Sequence, residues 1–281
     1  MSWPAASGSA PPGSKSASAS LEDDPRAGMT AVRRALGLRW WREVLYILAF
    51  YGVYTLVRNR GLHDLGVEQA RHNADRVVGF ERFLHAFHEQ GVQHLFYPGA
   101  KWFLEFWNVF YGSAHFIVTI VAIVWLFRRD PKRYPLWRNT LAFTTGLALI
   151  GFAFFPLMPP RLLPSPPFHF VDTLQAVGGL WSFDSGAMHK VSNQYAAMPS
   201  LHFGWSAWCA LVFISTLPRN WMKVLVAFYP LATTFSIVVT ANHYWLDAVG
   251  GAAALSIGYG MGVVITNAQA RRRPALRPVL S

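Results

Sequence analysis

The chain has a single cysteine, Cys209, in 281 residues. That excludes an intrachain disulfide and any cysteine-cluster metal site. Charge is scarce as well: Asp, Glu, Lys and Arg make up 14% of the chain, against about 25% in an ordinary soluble domain. Acidic residues are the scarcer sign, 14 against 25 basic ones, for a net charge of +11. A surface with so little charge is not built for water on all sides. What the chain has instead is apolar: 53% hydrophobic and 15% aromatic residues. They gather in runs at about 40–57, 102–127, 141–157, 200–217, 224–240 and 248–266. Runs of roughly 18 or more apolar residues can each cross a hydrocarbon core of about 30 Å. The expected class is therefore an all-α, polytopic membrane protein, a bundle of six transmembrane helices.

The basic excess does not point to nucleic acid. The arginines sit mainly between apolar runs, where they set orientation and meet anionic headgroups. Arg128, Arg129, Lys132, Arg133 and Arg138 share one loop, Arg219 and Lys223 another, and Arg271, Arg272, Arg273 and Arg277 the tail. With six spans all three lie on the side of the N-terminus, itself basic at Arg33, Arg34, Arg39 and Arg42. The positive-inside rule then places both termini in the cytoplasm. The preference for arginine over lysine fits a GC-rich genome, and with it a bacterial plasma membrane. Residues 1–38 read as a disordered cytoplasmic tail, 39–267 as the membrane domain and 268–281 as a basic cytoplasmic tail. Within 58–100, the stretch 79–97 places Phe80, Phe83, Leu84, Phe87, Val92, Leu95 and Phe96 near helical spacing. It reads as an extra amphipathic helix at the interface, with a helix capping the bundle as the alternative.

Ionisable residues at the edges of spans are costly and tend to be functional. In the six-span arrangement Arg161, His202, His243 and Asp247 converge on the extracytoplasmic side, although none of them was used to set the topology. His243 and Asp247 are four apart, so a helix stacks them on one face. The carboxylate can fix one imidazole tautomer and leave the other nitrogen as a nucleophile. Pro199 and Ser200 read as a helix start, whose free amides favour a phosphate. His202 in that first turn is placed to protonate a leaving oxygen. Pro156, Pro159 and Pro160 end a span and stiffen the exit that carries Arg161, a guanidinium suited to bidentate phosphate binding. Each element alone has a plain reading: a helix-end polar pair, a capped helix with a headgroup-level histidine, a snorkelling arginine. Together they supply a nucleophile with its orienting acid, a general acid and a phosphate cradle. That set requires no metal and no organic cofactor.

The two histidine motifs, Pro199–Ser200–Leu201–His202 and His243–Asp247, resemble the type 2 phosphatidic acid phosphatase superfamily, whose motifs have the forms Pro-Ser-x-His and His-x-x-x-Asp. The resemblance covers about residues 40–267 and implies a six-helix bundle. It also implies that His243 forms a phosphohistidine, that Asp247 is its partner and that His202 protonates the leaving group. Two positions depart from the common pattern: Ile237 stands where the third motif carries an arginine, and Phe154 stands where the first motif carries a lysine. Both departures, with Pro159–Pro160–Arg161, resemble the branch of the fungal inositol phosphorylceramide synthases and their bacterial relatives. Phosphate then meets fewer cations, unless Lys190 or an arginine from 58–82 substitutes. The implied partners are a lipid phosphate or phospholipid, a possible polyol acceptor such as inositol, and membrane lipids.

Other polar residues have two readings each. Asn193, Gln194 and Tyr195 precede the second motif and either bind an acceptor hydroxyl or close the loop. His115, with Tyr111 and Asn108 on one side of a span, reads as a buried polar network, with headgroup contact as the alternative. Glu105, a turn from the extracytoplasmic end, either pairs with an arginine or receives a proton. His169, Asp172, Asp184 and His189 share a loop without metal-ligand spacing and read as solvated. The expected activity is a lipid phosphatase or an inositol or polyol phosphotransferase. The competing class is a non-catalytic lipid transporter or scaffold that keeps the same bundle.

Overall fold

The computed structural model describes residues 25–60, 66–178 and 194–272. Among the described residues the regular elements are helical, and an isolated bridge joins Leu157 to Ala196. The helices are α1 (Pro25–Ala35), α2 (Trp40–Arg60), α3 (Gly66–Phe83), α4 (Glu89–Phe96), α5 (Lys101–Arg129), α6 (Tyr134–Phe154), α7 (Thr173–Ala176), α8 (Leu201–Thr216), α9 (Asn220–Val239) and α10 (Trp245–Arg272). Lys190, Asn193, Asp184, His189 and both chain tails as read from the sequence lie wholly or largely outside the described residues.

Among the described residues, three helices are long and apolar enough to cross a membrane: α5, α9 and α10. The apolar α8 is shorter. α2 and α6 are 21 residues each, but α2 carries Arg42, Glu43, Arg58 and Arg60, and α6 opens on Tyr134–Asn139 with Arg138 among them. The outward sides of the long helices are apolar: Phe116, Ile117, Ile120 and Val121 of α5, and Val224, Leu225, Phe228 and Leu231 of α9, are all exposed. Surface of that extent without charge suits lipid and not water. The chain has the helices of a membrane protein.

The most extensive helix pairing is α6 with α10, and small residues allow it. A Cβ on Gly258 would stand 2.8 Å from the Thr144 amide nitrogen. One on Gly251 would collide with the Ser200 carbonyl oxygen. Where lipid removes most of the hydrophobic drive between helices, such close backbone approach supplies the attraction as van der Waals contact. Thr140 and Thr144 return their hydroxyls to the carbonyls of Leu136 and Thr140, at 2.9 and 2.8 Å, so neither hydroxyl is buried without an acceptor. Towards the arginine-rich end, Trp208 is fully buried with its indole N–H donated to the Trp137 carbonyl at 2.9 Å.

The opposite end is closed by α3 and α4. The single amphipathic helix expected over 79–97 is two helices, broken over 84–88, where His85 takes a positive φ of 55°. The buried face also runs further back than the aromatic spacing indicates. Ala70, Ala74, Val77 and Val78 pack on Leu157, Met158, Phe168, Ala197 and Tyr244. Asn73 donates to the Pro156 carbonyl at 2.8 Å, and Met158 N–H to the Ala70 carbonyl at 3.1 Å. Phe80, Phe83, Leu84 and Leu95 remain exposed. Of the two readings for this segment, the structure has helices capping the bundle end, with part of the aromatic face left outward.

Candidate active site at the start of the last helix

α9 ends at Val239, and the chain turns through 240–244 before α10 begins at Trp245. The turn is tight because the amides of Asn242 and His243 both return to the Ile237 carbonyl, at 3.0 and 3.1 Å. His243 therefore sits just ahead of α10 rather than on it, while Asp247 lies in the first turn. The pair still meets: Nδ1 of His243 is 3.0 Å from Oδ2 of Asp247, and both residues are buried. The same oxygen accepts the Tyr244 amide at 3.1 Å. This is the reach-back of a helix-start acid to the cap residue, and it fixes the carboxylate that fixes the imidazole. With Nδ1 occupied, Nε2 is the nitrogen left for chemistry.

The second motif meets the third through the backbone. Ser200 caps α8, its hydroxyl accepting the Phe203 amide at 3.4 Å, and its own N–H bonds the Asp247 carbonyl at 2.9 Å. His202, in the first turn of α8, lies with its ring centre 5.3 Å from that of His243. Tyr111 stacks on it at 4.3 Å, and His115 stands edge-on, also at 4.3 Å. His115 bonds the Tyr111 carbonyl through Nδ1 at 3.0 Å. Asn108 is not in this group. It bonds the carbonyls of Thr173 and Gly178, at 3.0 and 2.7 Å, and ties α5 to the 173–178 segment instead.

Arg161 donates its backbone N–H to the Ala241 carbonyl at 2.9 Å. Its side chain bonds Asn242 Oδ1 at 2.9 Å and Asp172 Oδ2 at 2.7 Å. The two ionic side chains are 8% and 13% exposed, which makes this a largely buried ion pair. Asp172 also caps α7 by accepting the Leu174 amide at 3.1 Å. The solvated-loop reading of Asp172 is thus overturned: its charge is matched by Arg161 and by a helix start. Ile237 is fully buried beside Val238 and Ala248, and Phe154 is 84% exposed. Neither position puts a cation at the site.

Two acids missed in the sequence complete the surroundings. Glu89 Oε1 accepts the Trp245 amide at 3.2 Å, and Glu81 Oε1 accepts the Leu246 amide at 2.8 Å. Burial, and then the Glu89 carboxyl against it, push the Glu81 carboxyl up to about 9. Tyr244 gives its hydroxyl to the Met158 carbonyl at 3.0 Å, and burial with the surrounding acids holds it well above the ordinary phenol range. The signal for Glu81 was available: Ala70, Ala74, Val77 and Glu81 follow one helical face. Tyr195 is half-buried with its carbonyl accepting the Leu157 amide at 2.8 Å, and it packs on the cluster that contains Tyr244. Glu105 is exposed.

No curated protein and no solved structure matches the chain. The family model described as PAP2 superfamily matches residues 75–261, more than half of the chain, and that span holds Arg161, both histidine motifs and the Glu81–Glu89 pair. With Ser200 bonded to Asp247 and Asp247 to His243 inside the matched region, the chain belongs to the PAP2 superfamily.

Proposed function

We propose that the chain transfers a phosphoryl group from a lipid phosphate or phosphodiester through a phosphohistidine on His243. The observation that carries this reading is the Nδ1–Oδ2 bond of 3.0 Å between His243 and Asp247, with the His202 ring 5.3 Å away. Nε2 attacks phosphorus, a P–N bond forms, and the P–O bond to the leaving alcohol or phosphate breaks. His202 gives that oxygen its proton, and Asp247 balances the charge on the imidazole ring. In the second half-reaction a hydroxyl passes its proton to His202 and attacks phosphorus, and the P–N bond breaks. Water as the hydroxyl makes a lipid phosphatase; inositol or another polyol makes a phosphotransferase. Arg161, held rigid by Asp172 and Asn242 next to His243, is the proposed phosphate ligand, with the start of α8 at Ser200. Lys190 is the proposed second cation, and Asn193 and Tyr195 the proposed acceptor contacts.

We also assign the site to the extracytoplasmic face of a bacterial plasma membrane. It lies at the junctions of α6 with α8 and of α9 with α10, whereas Arg128–Arg138, Arg219, Lys223 and Arg271–Arg272 lie at the other junctions. By the positive-inside rule the basic end is cytoplasmic, as are both termini in a six-span arrangement that includes α2, α6 and α8.

The test incubates purified protein with labelled lipid phosphates and phospholipids, with and without myo-inositol, beside His243→Ala. Phosphate release lost in the variant supports the phosphatase, and a labelled inositol lipid lost in it supports the transferase. Turnover equal in wild type and variant overturns the reading and favours a scaffold or transporter.

A further inference from the structure

Tyr244, Trp245 and Leu246 open α10, and a helix start leaves its first amides without intrahelical partners. A Ser, Thr, Asp or Asn at the cap normally takes one of them. Tyr244 has no such oxygen to offer, since its hydroxyl is committed to Met158 at 3.0 Å. The amides are instead taken by three acids in succession: Asp247 for Tyr244, Glu89 for Trp245 and Glu81 for Leu246, at 3.1, 3.2 and 2.8 Å. Two of the three come from other helices, α3 and α4.

Glu81 and Glu89 are 1% and 0% exposed, and they accept the amides of the neighbouring residues Leu246 and Trp245, which brings two buried carboxyls to one helix start. As two carboxylates they leave Glu81 Oε2 and Glu89 Oε2 buried with no donor among the described residues. Two like charges in contact away from water cannot both persist, and one proton between them both removes the repulsion and satisfies the orphaned oxygens. Among the described residues, the groups whose charge bears on the pair are acids or a phenol: Asp247, itself bonded to His243, and Tyr244, which stays neutral and on which the charge of Asp75 also bears.

We propose that Glu81 and Glu89 are positioning residues for His243 and Asp247: a buried carboxyl pair sharing one proton that replaces the missing cap side chain and fixes the start of α10. The pair touches no reacting atom. It clamps two of the three amides between His243 and Asp247 in the chain, those of Trp245 and Leu246, so that the Nδ1–Oδ2 bond keeps its geometry. It also joins the α3–α4 cap to the site, so that a displaced cap releases the start of α10. The catalytic part of this inference rests on the phosphohistidine reading; the shared proton does not.

The full-length protein in detergent micelles tests it. Glu89→Ala and Glu81→Ala lower kcat by about tenfold or more with little change in KM, because a misplaced reacting group costs rate more than binding. Glu89→Gln recovers most of that loss, since an amide keeps the acceptor for Trp245 and donates permanently to Glu81. Stability gives a second reading. Glu81 ordinarily titrates near 4.5 and in the folded protein near about 9. The folded state therefore holds the extra proton between these values, and stability falls as pH rises from the first towards the second. Glu89→Gln and Glu81→Gln flatten this slope of thermal midpoint against pH. Labelled-histidine NMR, with His243→Ala to identify the signal, gives a third: the His243 resonance shifts in the alanine variants and returns in Glu89→Gln.

Wild-type kcat in Glu89→Ala, a glutamine variant as slow as the alanine one, or an unchanged pH slope would each overturn the proposal. If His243→Ala itself keeps full turnover, it is the phosphohistidine reading that fails. The pH slope and the His243 resonance still decide the carboxyl pair.

Discussion

The backbone N–H of Ser200 donates to the carbonyl of Asp247 at 2.9 Å. One bond thus joins the cap of the helix bearing His202 to the helix start that orients His243. It fixes His202 and His243, the proposed general acid and nucleophile, against each other through main chain, which has fewer soft torsions than a side-chain contact. The absence of a side chain at Gly251 makes it possible.

Gly251→Ala tests that junction. The added methyl meets the Ser200 carbonyl oxygen and stands 3.3 Å from the Gly204 amide nitrogen, both backbone atoms. Overpacking of this kind costs about 1–3 kcal/mol. The expected outcome is a lower thermal midpoint in micelles, together with a fall in kcat larger than the stability loss explains, because α8 and α10 move apart at the site. Gly260→Ala, where a Cβ meets nothing within 4 Å, is the control and leaves both readings near wild type.

Asp247→Asn is nearly isosteric, and because one oxygen accepts both His243 Nδ1–H and the Tyr244 amide, the asparagine oxygen keeps that place and only the negative charge is lost. The imidazole ring then loses the charge that balances it, and kcat is expected to fall by about 10²–10⁴ with little structural change. His202→Ala removes the proton donor and slows substrates with a poor leaving group more than those with an acidic one, such as a nitrophenyl phosphate. Steady-state kinetics on the two substrate types separates these roles. An equal effect of His202→Ala on both denies it the part of general acid.

Asp172→Ala removes the carboxylate that meets the Arg161 guanidinium at 2.7 Å, and the thermal midpoint is expected to fall because a largely buried ion pair has lost one member. Arg161→Met with Asp172→Leu removes both charges and should recover much of the thermal stability while turnover stays low. Thermal unfolding beside kinetics checks this. Full turnover in the double variant would show that the arginine serves only the loop.

The family and the meeting of His243 with Asp247 were legible in the sequence because they depend on short spacings. Pro199 to His202 spans one helix start, and His243 to Asp247 one turn, so the local backbone brings each set together whatever the rest of the chain does. Even so, His243 proved to lie ahead of α10 and not on it, since the spacing of four is satisfied across the junction as well as within a helix. The membrane class was equally legible, because apolar content needs no partner to be recognised.

What only the tertiary structure decided are the contacts made across distance. Asp172 reads as a loop residue until the turn at 240–242 brings Arg161 onto it. Glu81 lies 165 residues from the amide that it accepts, and Glu89 lies 156 from its own. The helix expected over 79–97 breaks at His85, and that break is what lets α3 and α4 each deliver an acid to the same helix start. Burial is also a property of the packed state: the proton shared between Glu81 and Glu89 exists because α3, α4 and α10 together exclude water. The local spacings in the sequence determined which polar groups meet at the two helix starts. The packing of elements far apart in the chain decided what holds those groups in place, because desolvation and ion pairing act through space and not along the backbone.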